Sequence, residues 1–254
     1  MKEHQFSVIV DEGVQENRSA YQEPVWRYTR QAIWSAINEV ENVLGRLNAP
    51  VFQLDSEDAE VVFLMLYNCL SDSISAMYTL ESGWIRPSVT ALRGATETLT
   101  TAVAVHHNIK LMKLFREKKL KVPTTVHAAE RHLPSIQRLY KELTNEWTHE
   151  TFDSTARSIH YGTNDIRLVP QICEDRLPIY MNVAVEAIIL LQMIGQGAEI
   201  CFPKLVPESP YFATENGVRI RKPVHSDGLL RITLEGRDLA QEGARLARQR
   251  RGED

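Results

Sequence analysis

A short turn between two long, apolar-striped segments is the feature that most restricts how this chain can fold. Apolar side chains recur at three- and four-residue steps from Phe63 to Leu80, which is the period of a helix with one buried face. Gly83 favours the end of that helix, and Pro87 fits the first turn of the next one, which has its own apolar stripe. Two helices joined by so few residues must run antiparallel, so the sequence predicts a long helical hairpin over residues 56–108.

Helical periodicity covers most of the remaining chain. It predicts a helix that begins at Pro24 and ends near Asn48, a helix over residues 134–150, and a long helix opened by Pro178. Residues 183–194 of this last helix are apolar on most sides, as in a helix at the centre of a core. The predicted fold class is therefore all-α: an antiparallel helical bundle built around the long hairpin.

The character of the chain changes after Pro203, where turn-forming residues become frequent. Val218 and Ile220, and then Leu230 to Leu234, alternate with polar residues, as two short strands would. This pattern predicts a small C-terminal β-ribbon, which must pack on the helical body or on a partner because a lone hairpin is marginally stable. The predicted organisation is an extended arm over residues 1–20, a helical bundle over residues 21–203, and the ribbon with a short basic helix over residues 204–254.

Bulk composition limits the classes of partner. The 29 Lys and Arg against 33 Asp and Glu give a net charge of −4, which provides no general attraction to nucleic acid or anionic membranes. The three cysteines have no CxxC spacing, so buried free thiols in a reducing compartment explain them better than disulfides or zinc. The most apolar stretch, residues 183–194, contains Glu186 and is too short to span a membrane. We therefore expect a cytoplasmic protein that has no membrane contact.

Arg93 and Glu97 form the first candidate site, because they lie four residues apart in a polar strip of the third predicted helix. Arg93 could bind a phosphate or carboxylate with two hydrogen bonds, and Glu97 could orient it or move a proton. The alternative is an exposed ion pair, which contributes about a few tenths of a kcal/mol and is common on amphipathic helices. The sequence leaves both interpretations open.

Asn145 and His149 form the second candidate site, near the end of the helix predicted over residues 134–150. His149 could act as a general acid or base because the unperturbed pKa of histidine lies near neutrality, and Asn145 could help to hold a ligand. The alternative is a solvated histidine that interacts favourably with the negative end of its helix.

Metal ligands are sparse in the sequence. Glu146 and His149 have the Glu-x-x-His spacing of di-iron bundles, but the chain contains no second copy of that motif. His127, Glu130 and His132 could hold zinc, but they are three mixed ligands on a segment that we expect to be exposed. The sequence therefore predicts no metal and no cofactor.

Two stretches resemble a known family. Residues 80–97 combine a helix that ends in Gly and an aromatic residue with a helix that carries Arg and Glu four residues apart, and residues 143–149 end a later helix in a polar residue and a histidine. Together they resemble uncharacterised bacterial members of the HEPN superfamily (higher-eukaryote and prokaryote nucleotide-binding domains) over about residues 56–200. The resemblance implies an all-α bundle. In better-understood members it also implies a metal-independent ribonuclease assembled across a homodimer, often in toxin–antitoxin or phage-defence systems.

The nuclease motif of that family is missing from the predicted helices of this chain. Those enzymes carry Arg followed by His after four to six intervening residues on one helix. Arg219 and His225 have this spacing, but Pro223 lies between them in the predicted ribbon. The resemblance therefore implies a link to RNA or nucleotides and leaves open whether the chain is an enzyme.

Two functional hypotheses follow. In the first, the chain has an RNA- or nucleotide-linked role of the phage-defence or toxin type: Arg93 holds a phosphate with help from Asn145, His149 acts as acid or base, and Glu97 orients one of them. In the second, the chain is a non-catalytic interaction or scaffold protein that dimerises through its helical hairpin, and its ribbon docks a protein partner. Convergence of Arg93, Glu97 and His149 would favour the first hypothesis.

Overall fold

The computed structural model describes residues 14–15, 24–54, 56–145, 177–206, 210–215 and 218–251. Within these residues the chain forms an all-α body with one two-stranded ribbon, which confirms the predicted fold class. The helices are α1 (Pro24–Phe52), α2 (Glu57–Glu81), α3 (Ile85–His107), α4 (Ile109–Arg116), α5 (Val122–Ala129), α6 (Ile136–Asn145), α7 (Leu177–Cys201) and α8 (His225–Arg251). The strands are β1 (Phe212–Glu215) and β2 (Val218–Arg221).

The predicted helical hairpin is formed by α2 and α3. Ser56 caps the start of α2, where its side-chain oxygen accepts a hydrogen bond from the backbone N–H of Ala59 at 3.3 Å. At the turn, Gly83 adopts a φ of 90°, a conformation that strongly favours glycine. The hydroxyl of Tyr180 on α7 donates to the carbonyl oxygen of Gly83 at 3.1 Å, so the turn is also tied to the central helix.

Helix α7 lies at the centre of the bundle, as its apolar composition predicts. It contacts α1, α2, α3, α6 and α8, and most of its side chains are buried. Gly197 of α7 allows close contact with α3, because a Cβ at that position would lie 3.0 Å from Cδ1 of Leu99. Tyr180, near the start of α7, contacts the turn before α3, and Gly197, near the end of α7, contacts Leu99 in the second half of α3. The two helices therefore lie side by side and run in the same direction.

By length and composition alone, two helices could cross a membrane: α2 and residues Pro178–Cys201 of α7. In the apolar window of α7, 78% of the residues are buried within the protein, as in the core helix of a globular bundle. In the window of α2 only 44% are buried, so one side of this apolar helix faces outwards.

The C-terminal part differs from the prediction. Leu230 to Leu234 do not form a strand: they lie within α8, which begins at His225 and is much longer than the predicted short helix. The ribbon instead pairs Phe212 with Arg221 and Glu215 with Val218, on either side of residues 216–217, which lie outside the described residues. An alternation over so few residues is ambiguous. Here the helix is favoured, because the carboxylate of Asp227 accepts a hydrogen bond from the backbone N–H of Val224 at 2.8 Å and so caps the start of α8.

Other predicted boundaries also shift. Helix α1 continues through Pro50 to Phe52 because Val51, which is fully buried, anchors its last turn in the core. Of the predicted N-terminal arm only Val14 and Gln15 are described, and both are helical. Residues 146–150 of the predicted fourth helix lie outside the described residues.

Candidate functional site

Arg93 and Glu97 lie together on the flank of α3, where the sequence placed them. Nε of Arg93 is 3.0 Å from Oε1 of Glu97, and the side chains are 33% and 27% exposed. Neighbouring positions such as Leu92 and Thr96 point into the core, which fixes the orientation of the helix and leaves the ion pair at its edge. The arrangement fits the ion-pair interpretation, and the partial exposure of Arg93 leaves its side chain accessible to an anion.

Tyr140 of α6 is a third member of this site that sequence reasoning missed. The guanidinium carbon of Arg93 lies 5.9 Å from the centre of the Tyr140 ring, within the range of a cation–π contact. The contact depends on the packing of α6 against α3, which the sequence does not reveal. A phosphate that approached Arg93 would therefore meet a guanidinium already held between a carboxylate and an aromatic ring.

The second candidate site is only partly described. Asn145 is the last residue of α6, and by helical geometry it lies about 140° around the axis from Tyr140. Its backbone is therefore not on the face that packs against Arg93. His149 lies outside the described residues, so its predicted convergence with Arg93 and Glu97 stays a prediction.

The zinc candidates His127, Glu130 and His132 have separate surroundings. Both carboxylate oxygens of Glu130 accept backbone N–H groups, from Ser135 at 3.1 Å and from Gln137 at 2.8 Å, so this side chain caps the start of α6. His127 is exposed, whereas the ring of His132 stacks on that of His107 with 3.9 Å between the ring centres.

A cluster that sequence reasoning did not anticipate lies where α3 and α7 end. One side-chain nitrogen each from His106 and His107 and the sulfur of Cys201 all lie within 4.8 Å of one another. Burial lowers the pKa of both histidines, with additional repulsion from His132, and the pKa of His107 falls to about 4. Burial also raises the pKa of the Cys201 thiol. The adjacent histidines at a helix end were visible in the sequence, but their proximity to a cysteine on another helix was not.

Two basic segments, residues 110–121 and 245–251, could be solvated helix ends or could follow a phosphate backbone, and each contains an arginine that is paired with acidic side chains. Arg116, in the first segment, bonds to Asp58 at 2.7 Å and to Glu57 at 3.0 Å, both at the start of α2. In the second segment, Arg245 bonds to Glu242 on the same helix at 2.6 Å. These ion pairs favour the interpretation as solvated helix ends over that of a phosphate-binding track.

A groove of about 630 Å³ runs between α1 and α2. Its walls carry large apolar side chains that remain substantially exposed, among them Leu64, Tyr67 and Tyr78 of α2 and Phe52 of α1. Only Glu41 is charged among the described residues that line it. A mostly apolar, aromatic groove on a protein surface is typical of a binding surface for another protein.

Comparison with protein-family models, with curated proteins and with solved structures finds no match to this chain.

Proposed function

We propose that this chain is a helical interaction protein that forms a homodimer by pairing its α2 helix with α2 of a second copy. The observation that carries this proposal is the outward-facing apolar stripe of α2. Leu64, Tyr67 and Tyr78 are 49%, 56% and 53% exposed, although each is a large apolar or aromatic side chain. Their burial against a partner would remove this surface from water.

The spacing of the stripe fits a partner helix. Leu64, Tyr67, Ser71, Ile74 and Tyr78 follow one another at steps of three, four, three and four residues. This is the repeat with which one helix packs along another in a coiled coil. The opposite side of α2 is already buried against the body, so the stripe is a second apolar face rather than part of the core.

The two ends of the stripe are complementary to each other. Ser71 lies seven residues from Leu64 and seven from Tyr78, so a two-fold axis through Ser71 would bring Leu64 of one copy against Tyr78 of the other. A small residue at the crossing point lets two helices approach closely. No member of the stripe carries a charge, so the pairing would bury no charged side chain of the stripe.

Aromatic residues flank the stripe at both ends. Phe52 packs edge-on against Phe63 with 5.9 Å between ring centres, and Trp34 packs against Tyr78 at 6.4 Å. Antiparallel pairing would set the aromatic end of one copy against the opposite aromatic end of the other. Buried aromatic residues contribute a large share of the energy at protein interfaces. The resemblance to the HEPN superfamily supports the same arrangement, because its better-understood members act as dimers.

Light scattering after size-exclusion chromatography tests this proposal. We expect the wild type to have twice the mass of the chain and Leu64→Glu to have the mass of a monomer, with unchanged helical circular dichroism. Ile109→Glu is the matched control, because it places the same charge on a 75% exposed isoleucine of α4 and should leave the dimer intact. A monomeric wild type, or a dimer that survives Leu64→Glu, would contradict the proposal.

A second candidate function is the RNA- or nucleotide-linked role of the phage-defence or toxin type. The arrangement of Arg93 between Glu97 and Tyr140 favours it, because a guanidinium beside an aromatic ring offers single-stranded RNA both a phosphate contact and a stacking surface. Asn145 and His149 remain the other residues of this proposal. A protein partner at the C-terminal ribbon also stays a proposal.

Fluorescence anisotropy with a single-stranded RNA oligonucleotide tests the second candidate. We expect Arg93→Gln to weaken binding by roughly tenfold, as the loss of a charged hydrogen bond would. The matched control is Arg138→Gln, which removes an arginine from an i,i+4 pair with Glu142 on α6. An equal loss of RNA affinity in the two variants would show that Arg93 has no specific role in RNA binding. Metal-free RNA cleavage by the wild type and by His149→Ala tests the catalytic form of this function, and equal cleavage would exclude His149 as acid or base.

A further inference from the structure

The cluster at the ends of α3 and α7 joins three side chains whose chemistry suits a metal ion. His106 and His107 are the last residues of α3, and Cys201 is the last residue of α7. Because the two helices are parallel and end at the same level, these side chains lie close together. The ring of Phe202 packs against His106 at 5.4 Å between ring centres, and the ring of His132 stacks on His107. These aromatic rings flank the two imidazoles and form one wall of the cluster.

The surroundings of the cluster favour a cation. The last turns of α3 and α7 expose carbonyl oxygens with a partial negative charge near the cluster, and these offset the positive start of α4, which begins two residues after His107. Cys201 is 3% exposed, which protects a metal–sulfur bond from water and oxidants.

We propose that His106, His107 and Cys201 bind one borderline-soft divalent cation of the zinc class, and that a water molecule takes the fourth position. Two imidazoles and one thiolate are a ligand set that tetrahedral zinc accepts, and three protein ligands leave one position open. Zinc holds nitrogen at about 2.0 Å and sulfur at about 2.3 Å, which puts tetrahedral ligand atoms about 3.3–3.5 Å apart. The three ligand atoms, which lie within 4.8 Å of one another, must therefore approach by up to about 1.5 Å. The exposed side chain of His107 can supply most of this movement.

Metal binding must also remove the thiol proton of Cys201. The sulfur forms its bond to the cation as the S–H bond gives its electron pair to sulfur, and the proton leaves to solvent. The two imidazoles contribute lone pairs without losing protons. We therefore expect about one proton to be released for each cation bound near pH 7. Calorimetric titration with Zn²⁺ in two buffers of different ionisation enthalpy measures this number.

Titration of the untagged, chelator-treated full chain with Co²⁺ tests the site directly. We expect saturation at one cation per chain and a thiolate-to-cobalt charge-transfer band in the near ultraviolet. His107→Ala should weaken binding by at least about tenfold, which is the effect of altering even an outer partner of a metal site. His127→Ala is the matched control, because it removes another exposed histidine, and it should bind as the wild type does.

Two cysteine variants complete the experiment. Cys201→Ser should abolish the charge-transfer band, whereas Cys69→Ser should retain it, because the thiol of Cys69 is buried between α2 and α3, where it contacts the carbonyl of Ala95. Thermal unfolding without metal establishes that each variant is folded, and Zn²⁺ should raise the Tm of the wild type but not of His107→Ala. The absence of a band in the wild type, or equal binding by His107→Ala and the wild type, would overturn the proposal.

Discussion

Ser226 donates two hydrogen bonds to one carboxylate: its hydroxyl reaches Oε2 of Glu39 at 2.6 Å, and its backbone N–H reaches Oε1 at 2.9 Å. Glu39 lies on α1 and Ser226 at the start of α8, 187 residues later in the chain. A carboxylate at the positive end of a helix is electrostatically favourable. Gln192 of α7 also donates to the Ser226 hydroxyl, at 2.8 Å. This polar network fastens the C-terminal helix to the bundle.

Ser226→Ala should lower the free energy of unfolding by about 1–2 kcal/mol, because it deprives a partly buried carboxylate and the Gln192 amide of a partner. Urea unfolding followed by circular dichroism measures this change. Ser35→Ala is the control, since its hydroxyl donates to the same Glu39 over a long 3.4 Å and should contribute little. Equal destabilisation by the two variants would show that Ser226 has no special role in docking α8.

Gly195→Ala should destabilise the protein by about 1–3 kcal/mol, the usual cost of overpacking a core. A Cβ on Gly195 would lie 2.6 Å from the hydroxyl oxygen of Tyr211, whose ring is fully buried. Gly94→Ala on α3 is the control, because a Cβ there meets no described atom within 4 Å. That change should instead stabilise the helix by up to about 1 kcal/mol. Thermal unfolding distinguishes the two signs, and stabilisation by Gly195→Ala would contradict the packing of Tyr211.

Two buried tyrosines should respond differently to loss of the hydroxyl. Tyr180→Phe removes the hydrogen bond to the carbonyl of Gly83 and should cost about 1 kcal/mol, seen in chemical denaturation. Tyr211→Phe should be neutral or slightly stabilising, because the buried hydroxyl of Tyr211 bonds to none of the described residues. If Tyr211→Phe destabilised the protein more than Tyr180→Phe, the hydrogen bond from α7 to Gly83 would not be what stabilises the hairpin turn.

The Arg93–Glu97 pair should contribute little to stability. A double-mutant cycle with Arg93→Gln and Glu97→Gln should give a coupling of about 0.3–0.5 kcal/mol at low salt, and less at high salt. Both side chains are about one-third exposed, so water competes for them. A coupling above about 1 kcal/mol would mean that the pair is a structural contact and not a surface available to a ligand.

Local signals in the sequence were sufficient for the hairpin but not for the C-terminal part. Ser56, Gly83 and Pro87 act through their own backbone neighbourhood, which a sequence shows directly. The apolar alternation around Leu230 was too short to distinguish a strand from a helix, and the tertiary bonds of Ser226 and Asp227 decided for the helix.

The sites show the same division between local and long-range information. The Arg93–Glu97 pair is an i,i+4 relationship and was predicted, whereas the contribution of Tyr140 depends on the packing of α6. The proximity of His107 and Cys201 follows from α3 and α7 running in parallel and ending at the same level. Such a long-range relationship has no local signature in the sequence.

The α2–α2 pairing is tested most directly by a disulfide at its proposed axis. Ser71→Cys places a thiol at an exposed position where a two-fold axis would bring it next to its own copy, whereas the native Cys69 and Cys201 are buried. Under mild oxidation we expect Ser71→Cys to form a covalent dimer in high yield, well above the wild type, and Leu64→Glu in the same background to abolish it. A yield no higher than that of the wild type would contradict dimerisation through α2.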